Sequence, residues 1–240
     1  MLTLYGTKGS GSASTEAALE FVGLPYRQVE AASWTPSPGL DELKRVNPIA
    51  QIPTLVLDDG GILTESAAIL IHLGLVHPQS GLLATDPARR AQQIRGLVYI
   101  GANCYAGIGI LDYPERWYPD PDDAVRKAMQ ARGRARLHEL WQIFADQFPA
   151  APWLCGERLG ALDILAATVS RWGGARSALA QSRPQFAALL GRIDVDPRVA
   201  PVWARHWPKP WATHGRDAKS RPHAAGRGDR RGARSRSRGR

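Results

Sequence analysis

Asn47-Pro48-Ile49-Ala50-Gln51-Ile52-Pro53-Thr54-Leu55 puts a proline immediately ahead of an apolar, strand-forming run. Proline has no N–H to give to a ladder, so it marks an edge or a bend. With a cis Ile52–Pro53 bond, the main chain of Ile52 turns outward, its N–H and C=O free to pair with an extended peptide. Only about 5–6% of X-Pro bonds are cis, so sequence alone does not favour that isomer. Further on, Leu63-Thr64-Glu65-Ser66-Ala67-Ala68-Ile69 runs from a strand straight into a helix. Glu65 and Ser66 then stand at a helix N-terminus, where free N–H groups and the helix dipole attract an anion. A carboxylate ligand fits there, with Glu65 meeting a neighbouring ammonium; a plain helix cap is the competing reading.

Outward from these segments, the periodicity alternates. Leu2–Tyr5 is expected as a strand, Ser12–Val22 as a helix stopped by Gly23-Leu24-Pro25, and Tyr26–Glu30 as a second strand. A short helix over Leu40–Val46 precedes two strands, Thr54–Leu57 and Ile62–Thr64, around the hairpin signal Asp58-Asp59-Gly60-Gly61. Glu65–Val76 is an apolar helix, and His77-Pro78-Gln79-Ser80-Gly81 reads as a linker. The pattern beyond is helical throughout: one helix from Pro87 past Tyr99, a second over Asp122–Phe148, then Ala161–Trp172, Pro184–Ile193 and Pro197–Arg205. An α/β layer followed by an all-α half predicts two packed subdomains.

The turn Gly9-Ser10-Gly11-Ser12-Ala13-Ser14 joins the first strand to the first helix. Its glycines permit close backbone approach, and serine hydroxyls near a helix N-terminus donate to anions. It lacks the Gly-Lys-Ser/Thr ending of a phosphate loop and the glycine spacing of a dinucleotide site; an ordinary βα turn with a serine cap is the alternative.

In order and spacing, these segments resemble the glutathione S-transferase family over about residues 1–205. The resemblance implies a thioredoxin-like N-terminal domain (1–78) and an all-helical C-terminal domain (86–205). It also implies glutathione as co-substrate. Ile52 would pair its main chain with the cysteinyl part of glutathione, next to Gln51 and a cis Pro53. Glu65 and Ser66 would hold the γ-glutamyl group. Arg158-Leu159-Gly160-Ala161-Leu162-Asp163 resembles the capping element ahead of the family's buried sixth helix, with Gly160 where Ser or Thr is usual. The family aims a Tyr, Ser or Cys at the glutathione sulfur from the end of the first strand or the start of the first helix. This turn has no Cys and Tyr5 falls in the strand, so Ser10, then Ser12, or a backbone amide, is the expected activator. Lowering a thiol pKa from about 8.5 to 6.5 needs roughly 2.7 kcal/mol. One charge-assisted hydrogen bond gives about 1.5–3 kcal/mol and a helix N-terminus about 0.3–2, so no metal is required.

The implied activity is attack of the glutathione thiol on a small hydrophobic electrophile, by a homodimer. Isomerisation, dehalogenation or disulfide reduction with the same cofactor, or a catalytically silent binding protein, are the alternatives. Tyr99, Cys104, Tyr105, Tyr113 and Trp117 are candidate lining residues for the electrophile, each competing with a role in packing. Trp141, Trp153, Trp172 and Trp203 read as helix-packing anchors, His72 as a packed or surface histidine, and Cys155 as a buried structural thiol.

Composition sets the remaining bounds. Hydrophobic residues make up 44% and charged residues 22%, which excludes wholesale disorder. No apolar run approaching the roughly 20 residues of a membrane span stands out. The start shows no secretory signal, and the two cysteines have neither disulfide-framework nor metal-ligand spacing, so a reducing, cytoplasmic compartment is expected. Of 31 basic and 22 acidic residues, eleven and two lie in 206–240; residues 1–205 hold twenty of each, and the whole net charge of +9 falls on that tail. The segment is expected to be disordered. An Arg/Gly/Ser arm for nucleic acid is one reading of it, a solvated extension the other.

Overall fold

The computed structural model describes residues 1–208. β1 (Leu2–Gly6) leads through α1 (Ser12–Val22) to β2 (Tyr26–Glu30), and α2 (Pro38–Val46) leads to the hairpin β3 (Thr54–Val56) and β4 (Ile62–Thr64). The sheet order is β2-β1-β3-β4; β2 is parallel to β1, which the α1 crossover requires, and the other pairings are antiparallel. Alternation along β1 divides the core between the two faces. Leu4, with its ladder partner Leu55, packs under α1 and under α3 (Ser66–Val76), whereas Tyr5 turns to the other face among Leu40 and Leu43 of α2.

Local chemistry fixes the ends of these elements. Ser37 accepts the Leu40 N–H at 3.1 Å with Pro38 in the first turn, a cap contributing about 1 kcal/mol. Gly23, at φ 79°, closes α1 in the left-handed region.

The second half is helical: α4 (Pro87–Tyr99), α5 (Tyr105–Asp112), α6 (Asp123–Gln147), α7 (Ala161–Val169), α8 (Ala175–Ser182), α9 (Pro184–Asp194) and α10 (Ala200–His206). Every residue of α7 is buried, and α7 packs against α1, α3 and α4, so one helix ties the two halves together. The Asp163 carboxylate anchors its start, accepting N–H groups from Leu154 (2.8 Å), Cys155 (3.1 Å) and Gly160 (3.1 Å).

Several boundaries differ from the sequence reading. The helix from Pro87 is interrupted by a π-helical turn, Ile100–Cys104, and then runs on to Asp112. Gly107 lies within it, packed against Leu137 of α6, whose Cβ would be 3.4 Å from an added Cβ. Residues 87–112 are also long and apolar enough to pass for a membrane span, contrary to the expectation that no run would be. Here Leu97, Ile100, Cys104, Ile108 and Leu111 from that run enter the protein core. The helix expected over Ala161–Trp172 ends at Val169, and α8 was not foreseen because it is short and polar. The tail was expected to begin at His206. That residue instead ends α10, is buried, and bonds to the first domain, so the body extends through it. The rest of the expected tail, from residue 209, lies outside the described residues, as does any role for it with nucleic acid.

Candidate functional site

Pairing in the sheet gathers the three sequence segments at one end. Tyr5 pairs with Thr54 and Thr54 with Thr64. The chain therefore leaves β1 toward Thr7, enters β3 from Ile52 and leaves β4 toward Ser66 along a single edge. The Ile52–Pro53 bond is cis, and no described residue hydrogen-bonds the Ile52 main chain. Asn47, buried beneath this loop, shapes it. Its side-chain amide donates to Gln51 O (3.2 Å) and Thr54 Oγ1 (2.9 Å), and its Oδ1 accepts from Ile49 N at 3.1 Å. Gln51 thus spends its carbonyl inside the loop, which also receives the Thr54 hydroxyl at 2.8 Å.

Glu65 sits at φ 63°, ψ 110°, a left-handed conformation rare for a side-chain-bearing residue. Strain of that kind, about 1–3 kcal/mol, persists only where the surroundings impose it and gathers at binding sites. Its effect here is to start α3 abruptly. Ile69 N–H donates to Glu65 O at 3.0 Å as the first helical bond, and among the described residues no side chain caps the N–H groups of the first turn. Ser66 is buried at that uncapped end. Hydroxyl, free amides and helix dipole together offer the chemistry that an anion requires.

Ser10 and Ser12 are both buried. Ser10 donates to Thr7 O at 2.7 Å and the two hydroxyls lie 2.8 Å apart, while Ser12 also reaches Thr7 O and accepts Thr7 N–H, each at 3.2 Å. Both hydroxyls therefore close the turn on itself. Lys8 is exposed on the loop. Beyond it, Gly9 N–H donates to His206 Nδ1 at 3.2 Å, and Nε2 of that ring meets Glu16 at 2.8 Å. Arg205 joins at 2.6 Å to Glu16 and also contacts Glu20, so α10 clamps the start of α1.

Of the five proposed lining residues, Tyr105 reaches this edge: a methyl added to Gly11 would lie 2.2 Å from its hydroxyl. Tyr99 instead donates to Leu140 O (3.0 Å) among Phe144 and Phe148. Cys104 is buried in the core, and burial pushes its thiol up to about 12. Tyr113 stacks under Arg116 and Trp117 is mostly exposed. From Tyr105 an aromatic wall continues through Trp172 (6.2 Å between ring centres) to Trp207 (6.4 Å), whose indole nitrogen comes within 3.7 Å of a Cβ added at Gly9. Among the described residues, no group of three or more His, Cys, Asp or Glu side chains is arranged to hold a metal.

The family model described as the glutathione S-transferase N-terminal domain matches residues 1–74. The uncharacterized GST-like protein YncG of Escherichia coli is 31% identical over 209 residues, which span 86% of this chain and 98% of that protein. The chain belongs to the glutathione S-transferase family. Glutathione S-transferase GstA, also of Escherichia coli, is 30% identical over 160 residues, 66% of this chain and 75% of that one. A solved glutathione S-transferase from Methylobacterium radiotolerans, in complex with glutathione sulfonate, superposes with a TM-score of 0.68 at 28% identity. It covers 84% of this chain and 93% of its own.

Four contributors to this candidate site escape the sequence reading. Asn47 precedes a proline and reads as a turn residue; its position four before Gln51 was the available signal. His206 and Trp207 were placed in the basic tail because the apolar pattern fades there. Trp172 was read as a packing anchor, whereas it also backs Tyr105.

Proposed function

We propose that this chain binds reduced glutathione along the Ile52–Ser66 edge and activates its thiol for attack on a small apolar electrophile. The observation that carries this is the unpaired Ile52 main chain lying at the same sheet edge as the uncapped N-terminus of α3. An extended tripeptide adds there as a short strand, its N–H and C=O pairing with those of Ile52. Its γ-glutamyl carboxylate then meets Ser66 and the first-turn amides of α3, while the Glu65 carboxylate faces the ammonium. Gln51 and the cis Pro53 frame the cysteinyl part. The sulfur is thereby directed at the turn holding Ser10, Gly11 and Ser12, the segment expected to activate it.

In the reaction the thiol gives its proton to water. The sulfur electron pair forms the C–S bond, and the leaving group departs with the pair from the bond that breaks. Tyr105, Trp172 and Trp207 supply an apolar, aromatic face for the electrophile. Exposed Ile62, Leu75, Val76 and Val98 on β4, α3 and α4 support association into a homodimer, and a cytoplasmic setting supplies the reduced tripeptide.

Calorimetry with millimolar reduced glutathione, followed by conjugation of a chloronitrobenzene, tests the reading. Saturable heat and product formation are expected. Absence of any heat overturns it.

A further inference from the structure

The geometry points to Tyr105, carried by the helical domain, as the catalytic residue whose hydroxyl binds the glutathione sulfur and holds it as a thiolate. This deepens the glutathione reading above and rests on it. The hydroxyl is buried and has no well-formed hydrogen bond to any described residue. Buried polar groups are paired in the great majority of cases, so a buried phenol without a protein partner at the edge of a binding site points to a partner in the ligand. Its location narrows which atom that is. The Cβ position of Gly11 lies 2.2 Å from the hydroxyl and 3.8 Å from Ser66 Oγ, so the phenol hangs over the α1 turn, on the side facing α3. Gly11 is the residue that permits this approach. The proposed anion seat on α3 already has its own donors in Ser66 and the first-turn amides. At the α1 turn the nearby hydroxyls of Ser10 and Ser12 are committed to Thr7 and to each other. A sulfur arriving at that turn therefore finds Tyr105 as its uncommitted donor.

The seat of the ring is rigid. Tyr105 follows directly on the π-helical turn Ile100–Cys104, and its ring packs on Trp172. The extra residue of such a turn rotates the following helical face by about 100°. Burial pushes the phenol up to about 12, with the Ser66 hydroxyl beside it offsetting part of the rise. At neutral pH it is thus an O–H donor and not a base. The thiol proton leaves to water, the lone pair left on sulfur accepts the Tyr105 O–H, and no proton passes to the ring.

The test compares wild type with Tyr105→Phe, Gly11→Ala and Ser10→Ala. Binding of reduced glutathione is read by calorimetry, and the bound thiol's pKa by its ultraviolet thiolate absorbance against pH. Tyr105→Phe is expected to raise that pKa by about 1–2 units and lower kcat/KM for a chloronitrobenzene by about 10- to 100-fold. Kd should change less than about threefold. Its melting temperature should hold or rise, since a buried hydroxyl with no protein partner costs stability. Gly11→Ala, whose methyl displaces the hydroxyl, should reproduce the thiol shift. An unmoved thiol pKa in Tyr105→Phe overturns the inference. So does weaker binding with the thiol pKa unmoved, which would place the hydroxyl on the γ-glutamyl carboxylate, and so does a shift seen only in Ser10→Ala. No heat with wild type overturns the glutathione reading itself, and this inference with it.

Discussion

The N–H of Gly9 donates to Nδ1 of His206 across 197 residues of chain, at 3.2 Å. Because Nδ1 accepts, the ring proton sits on Nε2 and points at the Glu16 carboxylate 2.8 Å away. One imidazole thus holds the β1–α1 turn and the first helix together. Truncating it in His206→Ala leaves a buried carboxylate with one partner fewer and a backbone N–H with none. The cost should be about 3 kcal/mol, seen as a lower denaturant midpoint with little change in m-value.

The same cluster predicts a pH dependence. Burial pushes Glu16 up, but hydrogen bonds from His206 and Arg205 outweigh it and hold the carboxyl below the ordinary range. A lowered folded-state pKa contributes stability that is fully present above the unfolded value, about 4.3, and is lost as pH falls through the folded one. Thermal melts of wild type and Glu16→Gln should therefore differ most near neutrality and converge below pH 4. A gap that stays constant down to pH 3 would contradict the assignment.

Ser66→Ala removes the side-chain hydroxyl at the N-terminus of α3 while leaving the first-turn amides in place. Affinity for reduced glutathione should fall about tenfold, equivalent to 1.4 kcal/mol or about one hydrogen bond to a charged group. Calorimetry would show this as a raised Kd with unchanged stoichiometry.

Asp163 illustrates a purely architectural carboxylate. It is buried and satisfies three backbone N–H groups ahead of α7. Asp163→Ala leaves those donors unpaired in the core, and at about 1–3 kcal/mol each, moderated by relaxation, the loss should reach about 3–5 kcal/mol. Soluble yield and urea midpoint are the readouts.

The two cysteines should be inert in the native state. Burial pushes Cys104 up to about 12 and lifts Cys155 well above the ordinary thiol value. A disulfide reagent at pH 8 should find neither thiol reactive on the timescale of seconds and both reactive in guanidinium. Cys155 is the half-buried one of the two, so rapid native labelling confined to it would show that partial exposure outweighs the raised thiol, and labelling of Cys104 would contradict its burial.

The sequence was most legible where a local rule decides the outcome. The switch from strand to helix period, Gly23 ending α1 and the Asp58–Gly61 turn each act within a few residues, and the first domain followed almost to the residue. The strand and helix boundaries that place Ile52, Glu65 and Ser66 at one end of the sheet were legible for the same reason: a proline before a strand and a strand running into a helix are short patterns. The helical half was harder because a π-helical turn and two helical glycines disturb the 3.6-residue period that the reading depends on. Tyr105 is legible as a lining candidate, but the place of its hydroxyl over Gly11 is not, and His206 is hidden altogether. Each side chain is delivered from the helical half, and only the packing of α7 against α1 and of α10 over the α1 turn sets where it arrives.

Synthesis from the N-terminus gives that last contact a consequence in time. A nascent chain can build its four-stranded sheet once the first 76 residues have cleared the ribosome, yet Gly9, Glu16 and Glu20 must wait for Arg205 and His206. Until those two emerge, the loop after β1 stays unpinned, and the contacts that fasten it are among the last that translation supplies.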